Sequence, residues 1–469
     1  MSRKSPVRLA ILCSVLASAF VAAAQDNQTL DRQFQSAVAH YNAGQFADAA
    51  AQLEKILPQV PNSFEAQELL GLVYAALSQD AKSLEHLKAA VRLKPDSAEA
   101  RTNLATSLSH SGNATAALEQ FKKALELEPN DFTANHNLGE FYVQTGKLAD
   151  ARPLLERAQQ IDPSSYDNGY DLALADSLTG RLGEARQLVQ TMIQKKDAGE
   201  LHNLLAQIEE KDGQYVAAVN EFEKAAHMDP SDDNLFDWGS ELLLHRTYDP
   251  AIEVFREAAR RYPKSPRLTI GLGMALYSRG LYEEAVKTLL TAADLAPSDP
   301  RCYLFLSKAY DSSPNQAAEV IERFRHYSEL QPDNALAQYY YAMSLWKGKR
   351  AQDASVDFAQ IESLLRKSIA LDGALAEAHT QLGNLYADQH EYEKSIPEYE
   401  RALVLNPNLP DAHYRLGTDY VHVGQKERAQ QEFDVYQKLR AQHLAEVDKE
   451  RADVQQFVYS SKAAPANKP

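Results

Sequence analysis

Thirteen histidines are the residues of this chain best suited to acid–base or metal chemistry, and they are scattered. His136, His245, His379, His413 and His422 do not bring three or four ligands together as a metal ion requires. His379 and His413 are separated by an interval that recurs along the chain, as the two copies of a duplicated surface position would be. The chain has only two cysteines, Cys13 and Cys302, and they form no close pair. Cys302 reads as a small core residue. There is no HExxH, no GxxxxGK and no GxSxG. Metalloprotease, phosphate-loop and serine-hydrolase chemistry therefore lack their residues, and the sequence calls for no metal and no cofactor. The abundant Glu and Asp, such as Glu393 beside Lys394, read as solvated helix surface.

The elements that would position any site repeat on a fixed ruler. Pro61, Pro95, Pro129 and Pro163 recur at one constant interval. A period of this size, about 34 residues, marks stacked supersecondary units. Eight residues before each proline stands a large apolar residue: Leu53, Leu87, Phe121 and Leu155. Five before stands a smaller one: Ile56, Ala90, Ala124 and Ala158. Leu70-Gly71 and Leu138-Gly139 open their repeats, with Tyr74 and Tyr142 three residues after the glycine. Mid-repeat Gly44, Gly112 and Gly146 are followed five residues on by Ala49, Ala117 and Ala151. Apolar residues at three- and four-residue steps give each segment one buried stripe. Glycine accommodates the positive φ that ends the first helix, and proline ends the second. Helical hairpins this short bury their apolar faces only by stacking.

These residues resemble, position by position, the tetratricopeptide repeat (TPR) family. The match continues through Gly180 and Ala185; Gly213, Phe222 and Pro230; Trp238, Phe255 and Pro263; Gly273, Leu289 and Pro297; and Tyr303, Phe324 and Pro332. It closes with Tyr341 to Gly373, then Leu382 to Pro407, then Leu416 to Phe433, giving about twelve repeats over residues 30–440. The resemblance implies an all-α fold: a right-handed superhelical solenoid of antiparallel helix pairs with a C-terminal capping helix. Two irregularities stand out. The fifth repeat closes through Gln194 to Gly199 without proline, and the tenth is about seven residues longer, with extra sequence near Gly348 to Phe358.

In TPR proteins the first helices line a concave groove. That family geometry places Phe236, Leu243, Arg267, Ile270, Met274, Tyr277, Arg301, Leu304, Lys308, Tyr339, Met343, Trp346 and Lys347 on the groove of repeats seven to ten. Aromatic, Met and Arg residues are enriched at interface cores, and a basic spot can pair with a peptide carboxylate. The alternative is that these residues pack against neighbouring helices. In repeats three and four the same wall carries Thr102, Asn103, His136, Asn137 and Glu140, where the two equivalent asparagines resemble rungs that hold a peptide backbone. The family's Lys/Asn/Lys/Arg clamp for chaperone tails is not assembled here. The array also resembles the repeat portion of some O-linked sugar transferases, without a segment for their catalytic domain. The expected function is a non-enzymatic scaffold binding a protein or peptide. Alternatives are an assembly factor of a cell-envelope or secretion machine, and a carbohydrate or cell-wall binder using exposed Tyr and Trp.

Arg3, Lys4 and Arg8, the apolar run Leu9 to Val21, and Ala22-Ala23-Ala24 have the layout of a secretory signal peptide. The run is short for a spanning helix, although an uncleaved anchor is the alternative. Cleavage after Ala24 removes three basic and no acidic residues, taking the formal charge from −16 to −19. So acidic a surface repels phosphate backbones and argues against nucleic-acid partners. The predicted organisation is a signal peptide at 1–24, a polar lead-in at 25–30, and repeats one to five at 31–197. Repeats six to twelve follow at 198–440, then the end of a long charged helix and a disordered tail at 441–469. The leader predicts export, with a bacterial periplasm as the expected home.

Overall fold

The computed structural model describes residues 24–313, 316–351 and 357–441. Among them every helix belongs to a hairpin, apart from one short 3-10 turn, and no strand occurs. Twelve pairs follow one another, from Ala24–Asn42 with Phe46–Ile56 to Pro410–His422 with Lys426–Ala441. The first helix takes in the polar residues 25–30. The predicted leader and the chain beyond Ala441 lie outside the described residues.

The chain divides into two bodies between Ala218 and Val219, within the second helix of the sixth repeat, Tyr215–Met228. In each body the first helices of adjacent repeats touch, for instance Ala98–His110 with Phe132–Gln144, and Asp232–Leu244 with Pro266–Arg279. Second helices are mostly farther apart. The first helices therefore form the tighter layer, which makes them the inner wall of each body.

The spacing seen in sequence is set by one contact, between a glycine of the first helix and a large side chain of the second. Gly71 lies under Leu87, Gly139 under Leu155, Gly239 under Phe255, Gly273 under Leu289, Gly383 under Tyr399 and Gly417 under Phe433. A Cβ on Gly273 would stand 2.5 Å from Leu289 Cγ, so only glycine lets the two helices of a pair come this close. Leu53, Leu87, Phe121 and Leu155 are buried as expected, with Ile56, Ala90, Ala124 and Ala158 beside them.

The turn within each pair uses the left-handed region. Gly44, Gly112 and Gly146 have φ of +73°, +81° and +73°. Ser78, Arg246, Gln316 and His390 take the same conformation without glycine. Helix packing on both sides thus holds these turns even against backbone preference. Nor is proline needed to stop the second helix. Leu182–Lys195 and Phe358–Leu371 end in register, although Asp197 and Gly373 replace proline in the linkers. In the tenth repeat part of the extra sequence lengthens the first helix, Ala335–Ala351, to 17 residues against the usual 13.

The linker prolines have a second role that the sequence did not disclose. Six residues after several of them, a side chain of the next first helix reaches back to the proline carbonyl. Gln67 Nε2 donates to Pro61 O (3.0 Å), Arg101 Nε to Pro95 O (2.8 Å) and Asn135 Nδ2 to Pro129 O (3.0 Å). Tyr303 Oη donates to Pro297 O (3.0 Å) and Gln338 Nε2 to Pro332 O (3.3 Å). Each bond satisfies a carbonyl that the turn leaves without a helical partner.

Candidate partner-binding wall

Four first helices form the candidate wall of the C-terminal body: Asp232–Leu244, Pro266–Arg279, Pro300–Ser312 and Ala335–Ala351. They separate the predicted residues into two sets. Phe236, Ile270 and Met274 are fully buried, and so are Leu243 and Trp346 within a few per cent. Phe236 packs edge-on to Phe255 at 6.2 Å, and Trp346 sits in a cluster with Ile361, Leu365 and Leu382. The adjacent first helices and the underlying second helices cover these positions. Phe236, Met274 and Trp346 are therefore packing residues in this structure, not surface anchors. Trp238, the other tryptophan, is half-buried, so tryptophan offers no open platform for sugar rings.

Arg267, Tyr277, Arg301, Leu304, Lys308, Tyr339, Met343 and Lys347 remain partly exposed. The cations among them are engaged. The Arg267 guanidinium meets Asp232 and, at 2.5 Å, Asp233, and lies 5.1 Å from the Phe236 ring centre. Burial pulls this guanidinium's pKa down, but Asp233 and Asp232 more than offset it and leave it raised. Arg301 Nε donates to Asp299 Oδ1 at 2.9 Å. Lys347 Nζ reaches the Asp311 carboxylate at 2.9 Å, and Lys308 Nζ lies 5.8 Å from the Phe305 ring. The expected basic spots are thus largely charge-compensated. Tyr277 packs 5.6 Å from Tyr282, and Tyr339 packs edge-on to Tyr340 at 5.7 Å. Burial pushes the Tyr339 phenol up, only partly opposed by a hydrogen bond with Gln381. It stays a neutral hydrogen-bonding group.

The wall of the N-terminal body is different in character. Asn103 does not stand as a rung: its Nδ2 donates to Glu68 Oε1 at 3.1 Å, below the surface. Thr102 is buried and donates to Ala98 O, while His136 Nδ1 lies 3.3 Å from Asn168 Oδ1. Asn137 and Glu140 keep partial exposure. Glu68, absent from the sequence reading, is 7% exposed, and burial with Glu99 nearby pushes its carboxyl up to about 7. Asn103 and Lys94 oppose that shift, and Glu65 adds to it. The only signal for it in sequence is a glutamate where the next two repeats carry Thr102 and His136.

Between the first two repeats an open groove of about 500 Å³ is lined by Leu57, Pro58, Tyr74, Glu85, His86 and Arg92, among others. Pro58 cannot continue the helical ladder, and the last turn tightens into the 3-10 helix Leu57–Gln59. No three His, Cys, Asp or Glu side chains cluster for a metal among the described residues. Cys302 is buried, its thiol pushed up by that burial and donating to Asp299 O at 2.9 Å. It is no nucleophile. No described helix is long and apolar enough to cross a membrane.

A tetratricopeptide repeat model matches residues 34–98, 102–166, 236–300 and 304–361, more than half the chain. The chain belongs to the tetratricopeptide repeat family. Further models of the family match residues 142–208 and 383–421. Among curated proteins, this TPR chain is 25% identical over 189 residues to the TPR repeat-containing protein YpiA of Bacillus subtilis, covering 40% of this chain and 42% of that one. It is 24% identical over 163 residues to the human protein O-mannosyl-transferase TMTC1, covering 34% of this chain and 18% of that one. The chain thus spans less than half the length of the curated relatives it matches. Among solved structures, PilW, a type IV pilus biogenesis factor, aligns at TM-score 0.41 and 23% identity over 44% of this chain and 96% of its own. Cut9 with Hcn1 aligns at TM-score 0.39 and 14% identity over 93% and 91%.

Proposed function

We propose that this TPR array is a non-enzymatic scaffold that binds a segment of a partner protein along the inner wall of repeats seven to ten. One observation carries the reading. The first helices pack side by side and leave Tyr277, Leu304, Lys308, Tyr339 and Met343 partly exposed on neighbouring turns. Tyrosine and methionine suit such a surface, because they bury much area at little entropic cost and adapt to irregular partners. Compensated charges at Arg267, Arg301 and Lys347 fix the wall's shape rather than clamp a carboxylate. The leader composition supports export as the setting, and N-terminal sequencing of the mature protein tests it. The same wall serves a transient partner or an assembly role in a cell-envelope machine.

The test is crosslinking and affinity capture from the native envelope, quantified against a Tyr277→Ala/Met343→Ala chain. A protein whose recovery falls at least tenfold with the double variant is the wall's partner, since two anchors together contribute on the order of 2 kcal/mol or more. Recovery of every captured protein at wild-type levels would sink the assignment.

A further inference from the structure

At the fourth position of the first helix, the eleventh and twelfth repeats carry histidine. His379 and His413 are 7% and 8% exposed. Each turns Nδ1 to a carboxylate on the second helix of its own repeat: Glu398 at 2.6 Å and Glu432 at 2.5 Å. His413 does more. Its Nε2 lies 3.0 Å from Pro407 O, so it takes the reach-back contact that Gln67 and Gln338 make elsewhere.

Both partners of His413 only accept hydrogen bonds. A neutral imidazole has one N–H and can serve one of them. The imidazolium has two and serves both. His379 is the built-in comparison: Gly373 replaces proline in its linker, and its Nε2 is buried without a partner among the described residues. A neutral ring donating from Nδ1 satisfies its single acceptor.

We propose that His413 is a proton-operated clasp between the twelfth repeat and the linker before it, fully closed in the imidazolium form and half-released in the neutral form. Several other charges stand on this helix and on the helices packed against it. Glu432 comes from Lys426–Ala441. From the same helix Arg428 is engaged with Glu400 of Tyr392–Leu405 at 2.7 Å, and Glu400 also accepts from Tyr420 Oη at 2.6 Å. On the histidine's own helix stand Asp411, Arg415, Asp419 and His422; burial raises the Asp419 carboxyl, with Ser395 its hydrogen-bond partner. The imidazolium form closes the clasp fully, so its contribution is present in acid and is lost as the ring gives up its proton with rising pH.

Native-state hydrogen exchange of the full chain at pH 5.5 and 8.5, corrected for intrinsic rates, reads the clasp locally. In the wild type, amides of Pro410–His422 should open about three- to tenfold less often at pH 5.5, the worth of one hydrogen bond. His413→Gln keeps the donor to Pro407, as Gln67 and Gln338 show is compatible with the fold, and should flatten that dependence. Glu432→Gln should weaken it, whereas His379→Gln should leave it intact. Equal opening at both pH values in the wild type overturns the proposal. So does a wild-type dependence persisting in His413→Gln, which would then belong to Asp419.

Discussion

Replacing Glu68 with glutamine should stabilise the N-terminal body at alkaline pH, although it removes a charge that is hydrogen-bonded. The Glu68 carboxylate is 7% exposed, accepts from Asn103 Nδ2 at 3.1 Å, and faces the like charges of Glu99 and Glu65. Lys94, the cation acting on it, is 3.1 Å from Glu65 and shared with it. Burial comes first among the causes that raise the carboxyl from 4.5 to about 7. The folded state therefore holds the proton more tightly than the unfolded chain. The stability this brings is complete below pH 4.5 and is lost as pH rises through about 7. A rise of that size corresponds to at most about 3 kcal/mol at pH 8. Glu68→Gln keeps the acceptor for Asn103 and removes the repulsion. Solenoids open locally, so the assay is hydrogen exchange of Phe64–Ala76 and Ala98–His110 at pH 5 and pH 8. The variant should open roughly 10- to 100-fold less often than the wild type at pH 8, and about equally below pH 5. A variant less protected than the wild type at pH 8 would show that the carboxylate is stabilised, and the reasoning would be wrong.

Arg186→Met should be among the costliest changes in the same body. It strips the paired contacts at 2.8 and 2.9 Å from Glu209, which is 7% exposed, and should cost about 3 kcal/mol by urea unfolding. Adding Glu209→Leu should restore most of that loss, because the stranded buried charge is its cause. Gly273→Ala should force Leu289 away and cost about 1–3 kcal/mol, with Leu289→Ala in the same chain recovering part of it if the clash at 2.5 Å is the reason. Gly112→Ala meets no atom within 4 Å, so its cost, about 1 kcal/mol in thermal unfolding, isolates the left-handed backbone at φ +81°.

The register of the array was legible because the residues that set it recur by type. Gly71 and Leu87, or Gly417 and Phe433, pair a missing side chain with a large one at a constant separation along the chain. The inner wall was less legible. A helix position predicts which way a side chain faces, but whether it reaches solvent depends on how closely the next helix approaches. Phe236 and Met274 face the wall's register and are covered, whereas Tyr277 and Met343 are not. The reach-back to the proline carbonyl was not legible because Gln67, Arg101, Asn135, Tyr303 and His413 share a role and not a chemical type. Periodicity reveals repeated residues; it cannot reveal a repeated donor supplied by five different side chains.

The same blindness hid how the repeats are joined. Three residues after the helical glycine, Tyr74 and Tyr420 reach back to Glu54 and Glu400 on the preceding repeat. In the fifth and sixth repeats that position holds Asp176 and Glu209, paired with Arg152 at 2.7 Å and Arg186 at 2.8 Å. A phenol buries mostly carbon and uses one hydrogen bond; an ion pair must first offset the desolvation of two charges. The charged latches are therefore not the stronger choice for stability. What they supply is direction, since a forked guanidinium accepts few geometries. The second of them lies where the linker shortens to residues 196–198 and has no proline to fix the chain. A junction that has lost its rigid linker keeps its register through the latch instead. On this account the buried Arg186–Glu209 pair helps to hold a junction that lacks proline, together with Asp197 of the linker, whose carboxylate lies 2.7 Å from Nε2 of the buried His202.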